Sequence, residues 1–132
     1  MQRRVAITGL GIVNPFDDDE TSANGGADDF FRRIAEGQSA LSLYTTEDIP
    51  RPISIPAVRC AAFRPEKRLG KALSGMMERF AQLGVAAAFD AWRDAGFSRE
   101  NGQAFPTPYL PGESGVAWGT ALGGLMAFER GY

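Results

Sequence analysis

The chain has 132 residues, enough for one modest domain or for part of a larger one. Its 14 basic and 16 acidic side chains give a net charge of −2, so it lacks the basic excess typical of nucleic-acid binding. Hydrophobic residues make up 44% of the sequence and charged residues 23%, which is typical of a folded protein. With one cysteine and no histidine, the chain forms no internal disulfide and supplies no imidazole for catalysis or metal binding.

The first residues contain two arginines followed by a largely apolar run, a combination that also occurs in signal peptides. Thr8, Gly9 and Gly11 interrupt this run, and the acidic sequence after it offers no small-residue cleavage site. No apolar stretch approaches the roughly 20 residues that a membrane-spanning helix needs. We therefore expect a cytoplasmic protein with no membrane partner.

The first predicted elements are a strand, a loop and a short helix. Residues 3–10 are dense in apolar side chains, which is typical of a strand buried on both faces. Residues 17–29 are polar and glycine-rich and indicate a surface loop. A helix is predicted for residues 27–36, because acidic side chains fall in its first turn and Gly37 is placed to end it.

The middle of the chain combines a proline-rich segment with the longest helical pattern. Residues 39–56 contain three prolines, which argue against a regular helix or a central strand. Residues 57–63 predict a short edge strand that contains Cys60. From residue 65 to 95, apolar side chains recur every three or four positions and predict a buried helix with a break near residues 74–75.

The last part of the chain repeats the same alternation. Gly96 is placed to end the long helix, and residues 98–112 form a predicted proline-rich linker. Residues 114–119 predict a third buried strand, and a helical pattern begins at Leu125. The resulting order, β-α-β-α-β-α, predicts the α/β class.

Short catalytic and ligand-binding motifs in the chain are incomplete. The Gly-x-Gly at residues 9–11 suits a dinucleotide-binding turn, but Asn14 replaces the third glycine and Pro15 stands where the phosphate-binding helix should begin. A neighbouring charge such as that of Arg59 lowers a thiol pKa in principle, yet a lone Cys60 in an apolar strand is more often a small buried hydrophobe. From these motifs we predict no catalytic residue, no metal and no cofactor. A nucleotide-binding oxidoreductase domain stays open as an alternative, although its motif is incomplete.

Four regions, in order along the chain, resemble one protein family. Residues 3–15, RRVAITGLGIVNP, are similar to the opening of the β-ketoacyl-acyl-carrier-protein synthases, RRVVITGLGIVSP. Residues 34–40 resemble the family's L-x-x-G-x-S-G-I segment, and residues 63–66 with 77–83 resemble its F-D-P-E and M-D-R-F-x-Q region. Residues 115–125, GVAWGTALGGL, resemble V-G-V-x-x-G-T-G-x-G-G. The resemblance covers nearly the whole chain, and the joint match is far more specific than any single motif.

This resemblance implies a thiolase-like fold, in which two similar α/β halves form a layered α/β/α/β/α body. Residues 1–132 would be an incomplete N-terminal β-ketoacyl synthase domain that holds only the opening part of the first half. The implied reaction is a decarboxylative Claisen condensation for fatty-acid or polyketide synthesis. The implied partners are the acyl carrier protein, acyl and malonyl thioesters, and a second synthase chain, either a homodimer copy or a companion; no cofactor is implied.

The family's nucleophilic cysteine lies beyond the double-glycine segment, and its two histidines come later still, so Cys60 does not match the nucleophile. One position carries over: the residue before the double glycine borders the acyl-chain pocket, and here it is Leu122. An apolar side chain suits an alkyl tail, while simple packing of Leu122 into a core stays open as the alternative. We expect this chain alone to be inactive; the rival hypothesis is a non-catalytic partner that docks to a companion synthase chain or a carrier protein.

Overall fold

The structure is a computed structural model that describes most of the chain. Within the described part, the elements follow in the order helix, strand, strand, helix, helix, helix. The chain divides into two compact units, Val13–Arg64, called here the hairpin unit, and Met1–Ile12 with Pro65–Tyr132, called the helical unit. The described ranges are residues 4–17, 26–46, 50–97, 109–110 and 112–125.

The hairpin unit contains the first helix, α1 (Gly26–Ala35). Gly37 ends it with a φ of 74°, in the left-handed region that glycine adopts without strain. The Gly37 N–H donates to the Ile34 carbonyl and the Gln38 N–H donates to the Arg33 carbonyl, both at 2.9 Å. This pair of bonds satisfies carbonyls at the helix end in a Schellman motif. The predicted short helix and its end at Gly37 are therefore confirmed.

Two short strands follow, β1 (Leu41–Thr45) and β2 (Ser54–Val58), which pair in antiparallel fashion. Leu43 lies opposite Pro56 in this register. The described residues of 39–56 contain no helix and no central strand, which confirms the prediction, but the two edge strands were not predicted at these positions. Both strands of a two-stranded sheet are edges, so a proline whose missing N–H faces away from the partner is tolerated.

The edge strand predicted for residues 57–63 is also misplaced. β2 begins three residues earlier and ends at Val58, so Cys60 lies outside it. The Cys60 thiol is half-buried, with its sulfur 3.9 Å from the Val13 carbonyl oxygen. Nearby in sequence, Phe63 is the buried apolar side chain of this unit among the described residues.

The helical unit contains α2 (Pro65–Leu69), α3 (Lys71–Gly75) and α4 (Arg79–Asp94). The predicted break near residues 74–75 is confirmed. A second break, which was not predicted, falls at Gly70, whose φ of 79° does not fit a right-handed helix. The long apolar pattern is therefore three helices in series rather than two.

Side chains from α2, and from α4 itself, hold α4 to its neighbours. Arg68 of α2 forms an ion pair with Asp90 of α4, and each of these side chains is only 14% exposed. The Gln82 Nε2 donates to the carbonyls of Ser74 at 2.9 Å and Met77 at 3.0 Å, and so satisfies backbone acceptors at the end of α3. Contacts of this kind orient α4 within the helical unit.

The strands predicted at residues 3–10 and 114–119 are not formed in the described residues. No ladder pairing forms there, and Val5 is 93% exposed and Val116 90% exposed. A strand needs a neighbour for its N–H and C=O groups, and among the described residues only β1 and β2 pair with each other. The predicted alternating order is therefore wrong for the described part of the chain. Its helices and small sheet are compatible with the α/β class, while the layered thiolase-like arrangement stays a prediction.

Parts of three predictions lie outside the described residues: most of the loop at 17–29, most of the linker at 98–112, and the helical pattern that begins at Leu125. In the part that is described, none of the helices has the length and apolar character needed to cross a membrane.

Candidate functional site

Leu122 lies in a turn directly before the double glycine. The Gly123 N–H donates to the Thr120 hydroxyl oxygen at 3.1 Å, which closes the turn. Gly124 has a φ of 86°, a backbone conformation that strongly favours glycine. The Leu122 side chain is 77% exposed, so in this structure it does not pack into a core. The turn at residues 120–124, called here the Leu122 turn, therefore presents an apolar side chain outward.

The Leu122 turn packs against an aromatic ring. Phe80 is the second residue of α4, and its ring lies against both glycines. A Cβ built on Gly123 would stand 2.5 Å from two ring carbons, and one built on Gly124 would stand 3.7 Å from a third. The first distance is far below van der Waals contact, so the absence of a side chain at Gly123 is what lets the turn rest on the ring.

The segment leading to the Leu122 turn also packs on α4. The Trp118 indole lies against Gly84, where any Cβ would overlap the ring. Residues 80 and 84 are one helical turn apart and share a face of the helix. The segment from Trp118 to Gly123 therefore follows the N-terminal half of α4 along one face.

The C-terminal half of α4 is approached by a different segment. Gly9 packs against Ala91 and Ala95, where its Cβ would stand 2.6 Å from the Ala95 backbone nitrogen. Gly11 packs in the same way against the backbone of Ala87. The Leu10 N–H between them donates to the Asp94 carboxylate at 2.8 Å. The close approach that the Gly-x-Gly pair permits is therefore an approach to a helix backbone.

The hairpin unit holds Cys60, which the sequence had already set apart from the family nucleophile. The Arg59 guanidinium lies over the Tyr44 ring, 4.2 Å from its centroid, in a cation–π contact. Across the ranges that the structure describes, no three His, Cys, Asp or Glu side chains come together as metal ligands. The feature of this arrangement that is suited to a ligand is the exposed apolar side chain at the Leu122 turn.

Sequence reasoning predicted Leu122 but missed the two aromatic residues beneath its segment. Phe80 lies within the apolar pattern of residues 65–95, and periodicity does not show which loop that helical face will meet. The signal was present in the glycines. A glycine such as Gly84 inside a helix, or Gly123 in the double glycine, costs backbone entropy on folding. Such a glycine indicates a position where another group comes too close for a side chain.

Known proteins similar to this chain were found among curated sequences. A candidate polyketide beta-ketoacyl synthase of Streptomyces halstedii is 30% identical over 134 residues. Nodulation protein E of Rhizobium meliloti is 30% identical over 132 residues, and 3-oxoacyl-[acyl-carrier-protein] synthase 2 of Vibrio cholerae is 27% identical over 131 residues. No protein-family model and no solved structure matches the chain.

The extent of these matches is as informative as their identity. Each covers 99% or 100% of this chain but only 28% or 29% of the relative. The similarity therefore spans every motif region found in the sequence, and it spans about three-tenths of a whole relative.

Proposed function

The chain corresponds to an N-terminal portion of a β-ketoacyl synthase, and from this premise we propose that it serves in the condensation of an acyl thioester with malonyl carrier protein. In that reaction a cysteine thiolate takes the acyl group and releases the carrier thiol. Loss of CO2 from the malonyl group leaves a thioester enolate, which attacks the acyl carbonyl and expels the cysteine thiolate. The proposed setting is fatty-acid or polyketide synthesis in the cytoplasm. The names of the relatives from Streptomyces halstedii and Vibrio cholerae support this proposal.

The role we propose for these residues is to border the site of the acyl chain. The observation that carries it is the exposed, apolar Leu122 on a turn fixed by Thr120, Gly123 and Phe80. An alkyl tail is recognised by apolar surface removed from water, at about 25 cal/mol per Å². A leucine that projects from a fixed turn supplies such surface, and binding then loses little entropy because no mobile loop has to become ordered.

The 132 residues alone should have no condensing activity. They contain no histidine, and their one cysteine is at position 60, outside the segment where the family's nucleophile lies. The direct test is an assay of the purified chain for malonyl decarboxylation and for condensation, with contaminating synthases removed. We expect neither activity. Either activity would show that this account of the chemistry is wrong, and loss of that activity in Cys60→Ser would identify Cys60 as the nucleophile.

The enzyme proposal itself is tested on the natural gene product that carries these residues. An antibody to residues 17–28 would isolate it from the source cell for measurement of its intact mass and its condensing activity. We expect a mass well above 14.2 kDa and condensation of acyl with malonyl thioesters. A native product of 14.2 kDa without activity would overturn the proposal.

A second candidate function is a non-catalytic partner that docks on a companion synthase chain or a carrier protein. The segments that contain Val5, Ile7 and Val116 favour it. Their apolar side chains are exposed and their described backbone pairs with no strand, so its N–H and C=O groups are available to pair with another chain. Stable co-purification of the 14.2 kDa product with a synthase chain would support this function. The third alternative, a nucleotide-binding oxidoreductase domain, requires that a nicotinamide cofactor raise the melting temperature.

A further inference from the structure

The geometry points to Phe80 as a positioning residue that sets the place of Leu122 and, through it, the acyl-chain length that the site accepts. The inference rests on the proposed function for its acyl ligand. Its structural part, the contact between one ring and the Leu122 turn, stands independently of that function.

The ring and the turn are in close contact. Gly123, the residue after Leu122, lies so close to Phe80 that even a methyl group at that position would stand 2.5 Å from two ring carbons. The same Cβ would stand 2.5 Å from the Thr120 hydroxyl oxygen, the atom that accepts the Gly123 N–H. The ring and the Thr120 hydroxyl therefore both occupy the space that a side chain at position 123 would need.

The position of the ring is in turn set by a rigid element. Phe80 stands in the first turn of a 16-residue helix, and Gln82 of that same turn ties the helix to the preceding backbone through two hydrogen bonds. One helical turn further on, the Trp118 indole packs on Gly84 and fixes the segment that enters the Leu122 turn. A change in the size of the side chain at 80 should therefore shift the turn rather than the helix.

A shift of the turn carries the Leu122 side chain with it, because Leu122 and Gly123 share a peptide unit. A smaller side chain at 80 would let the turn settle toward α4 and lengthen the space beside Leu122. Apolar sites discriminate by about tenfold or more for one methylene of fit. A displacement of the Leu122 turn should therefore appear as an altered preference for acyl-chain length rather than as an equal loss of rate for all substrates.

The first experiment measures kcat/KM of the natural gene product for a short and a long acyl thioester, in the wild type and in Phe80→Leu. Phe89→Leu is the matched control, since it makes the same change on the same helix beyond the turn contact. We expect Phe80→Leu to raise the long-to-short ratio by about threefold to tenfold, and Phe89→Leu to leave the ratio unchanged. An equal fall for both substrates in Phe80→Leu would overturn the inference, because a merely structural residue would act in that way.

The second experiment tests the contact without using activity. Gly123→Ala is made in the wild type and in Phe80→Ala, and melting temperatures are compared in a double-mutant cycle. We expect the alanine to lower the melting temperature strongly beside the ring and less where the ring is gone. Additive losses would show that the ring does not support the turn. A coupled cycle in a protein that processes no acyl thioester would overturn the proposed function and the length-selection role, and would confirm the contact alone.

Discussion

The two longest helices of the described chain end in the same way but are held in different ways. α1 ends at Gly37 and α4 at Gly96, each with a positive φ and each with the two backbone bonds of a Schellman motif. Apart from this shared ending, α1 has no buried residue, and its side-chain hydrogen bonds join residues within five positions of one another. The more distant Phe16 contacts Phe30 and Arg33 of this helix. α4 buries Ala86 and is contacted by segments distant in sequence on both halves of its length.

This difference separates what a short stretch of sequence specifies from what needs the rest of the fold. A capped helix with spaced charges is specified locally, and such pairs contribute only a few tenths of a kcal/mol each. A helix approached by glycines is specified by distant residues, and the cost of disturbing it depends on what the glycine meets. Backbone cannot move aside without moving the helix, whereas an exposed side chain can rotate away.

The largest effect should come from Gly11→Ala, where a new Cβ would overlap the Ala87 carbonyl oxygen of α4. Neither backbone can yield locally, so we expect a loss of about 3 kcal/mol in the free energy of unfolding. Urea denaturation of the natural gene product measures it. The control is Gly75→Ala at the end of α3, where a Cβ meets nothing within 4 Å and the change should be neutral or favourable. Equal losses in both variants would show that segment 9–11 does not press on α4.

A smaller effect is expected from Gly84→Ala, because the obstructing group there is the Trp118 ring, whose side chain is half exposed. We expect a loss of about 1–2 kcal/mol, since the indole can rotate at the cost of its packing. In a Trp118→Ala background the same change should instead stabilise α4 by up to about 1 kcal/mol through helix propensity. The reversal of sign, measured by urea denaturation, is the decisive result. A loss that persists without the indole would place the obstruction elsewhere.

The sequence predicted well those features that depend on neighbours along the chain. The short helix at 27–36, its end at Gly37, the break near 74–75 and the end at Gly96 all depend on local backbone preferences. The strands at 3–10 and 114–119 required partners, and the apolar density that predicted them does not reveal whether a neighbour is present. The sequence does not predict β2 across Pro56. Proline argues against a central strand, and it does not indicate whether an edge strand forms instead. At the candidate site, the family resemblance predicts Leu122, and that role stays a prediction, whereas the contact with Phe80 required knowledge of which loop meets the helix.

The smallest effect should come from the local contacts of α1. Hydrogen bonds from Arg33, and then from Arg32, lower the pKa of Asp29 below its ordinary value of 3.8. A carboxyl whose folded pKa is depressed stabilises the fold above its unfolded pKa, and that contribution disappears as the pH falls through the folded value. Because Asp29 is solvent-exposed, the loss of stability on acidification should be slight.

The more sensitive measurement is therefore the pKa of Asp29 itself, which carbon-detected NMR of its carboxyl group determines in the natural gene product. Arg33→Gln should raise the Asp29 pKa toward its ordinary value, and Arg32→Gln should raise it less, because the Arg33 hydrogen bond is the larger cause. Neither change should alter the unfolding of α4, which has no share in these contacts. If both variants left the Asp29 pKa where it was, the hydrogen bonds from Arg33 and Arg32 to Asp29 would not be formed in solution.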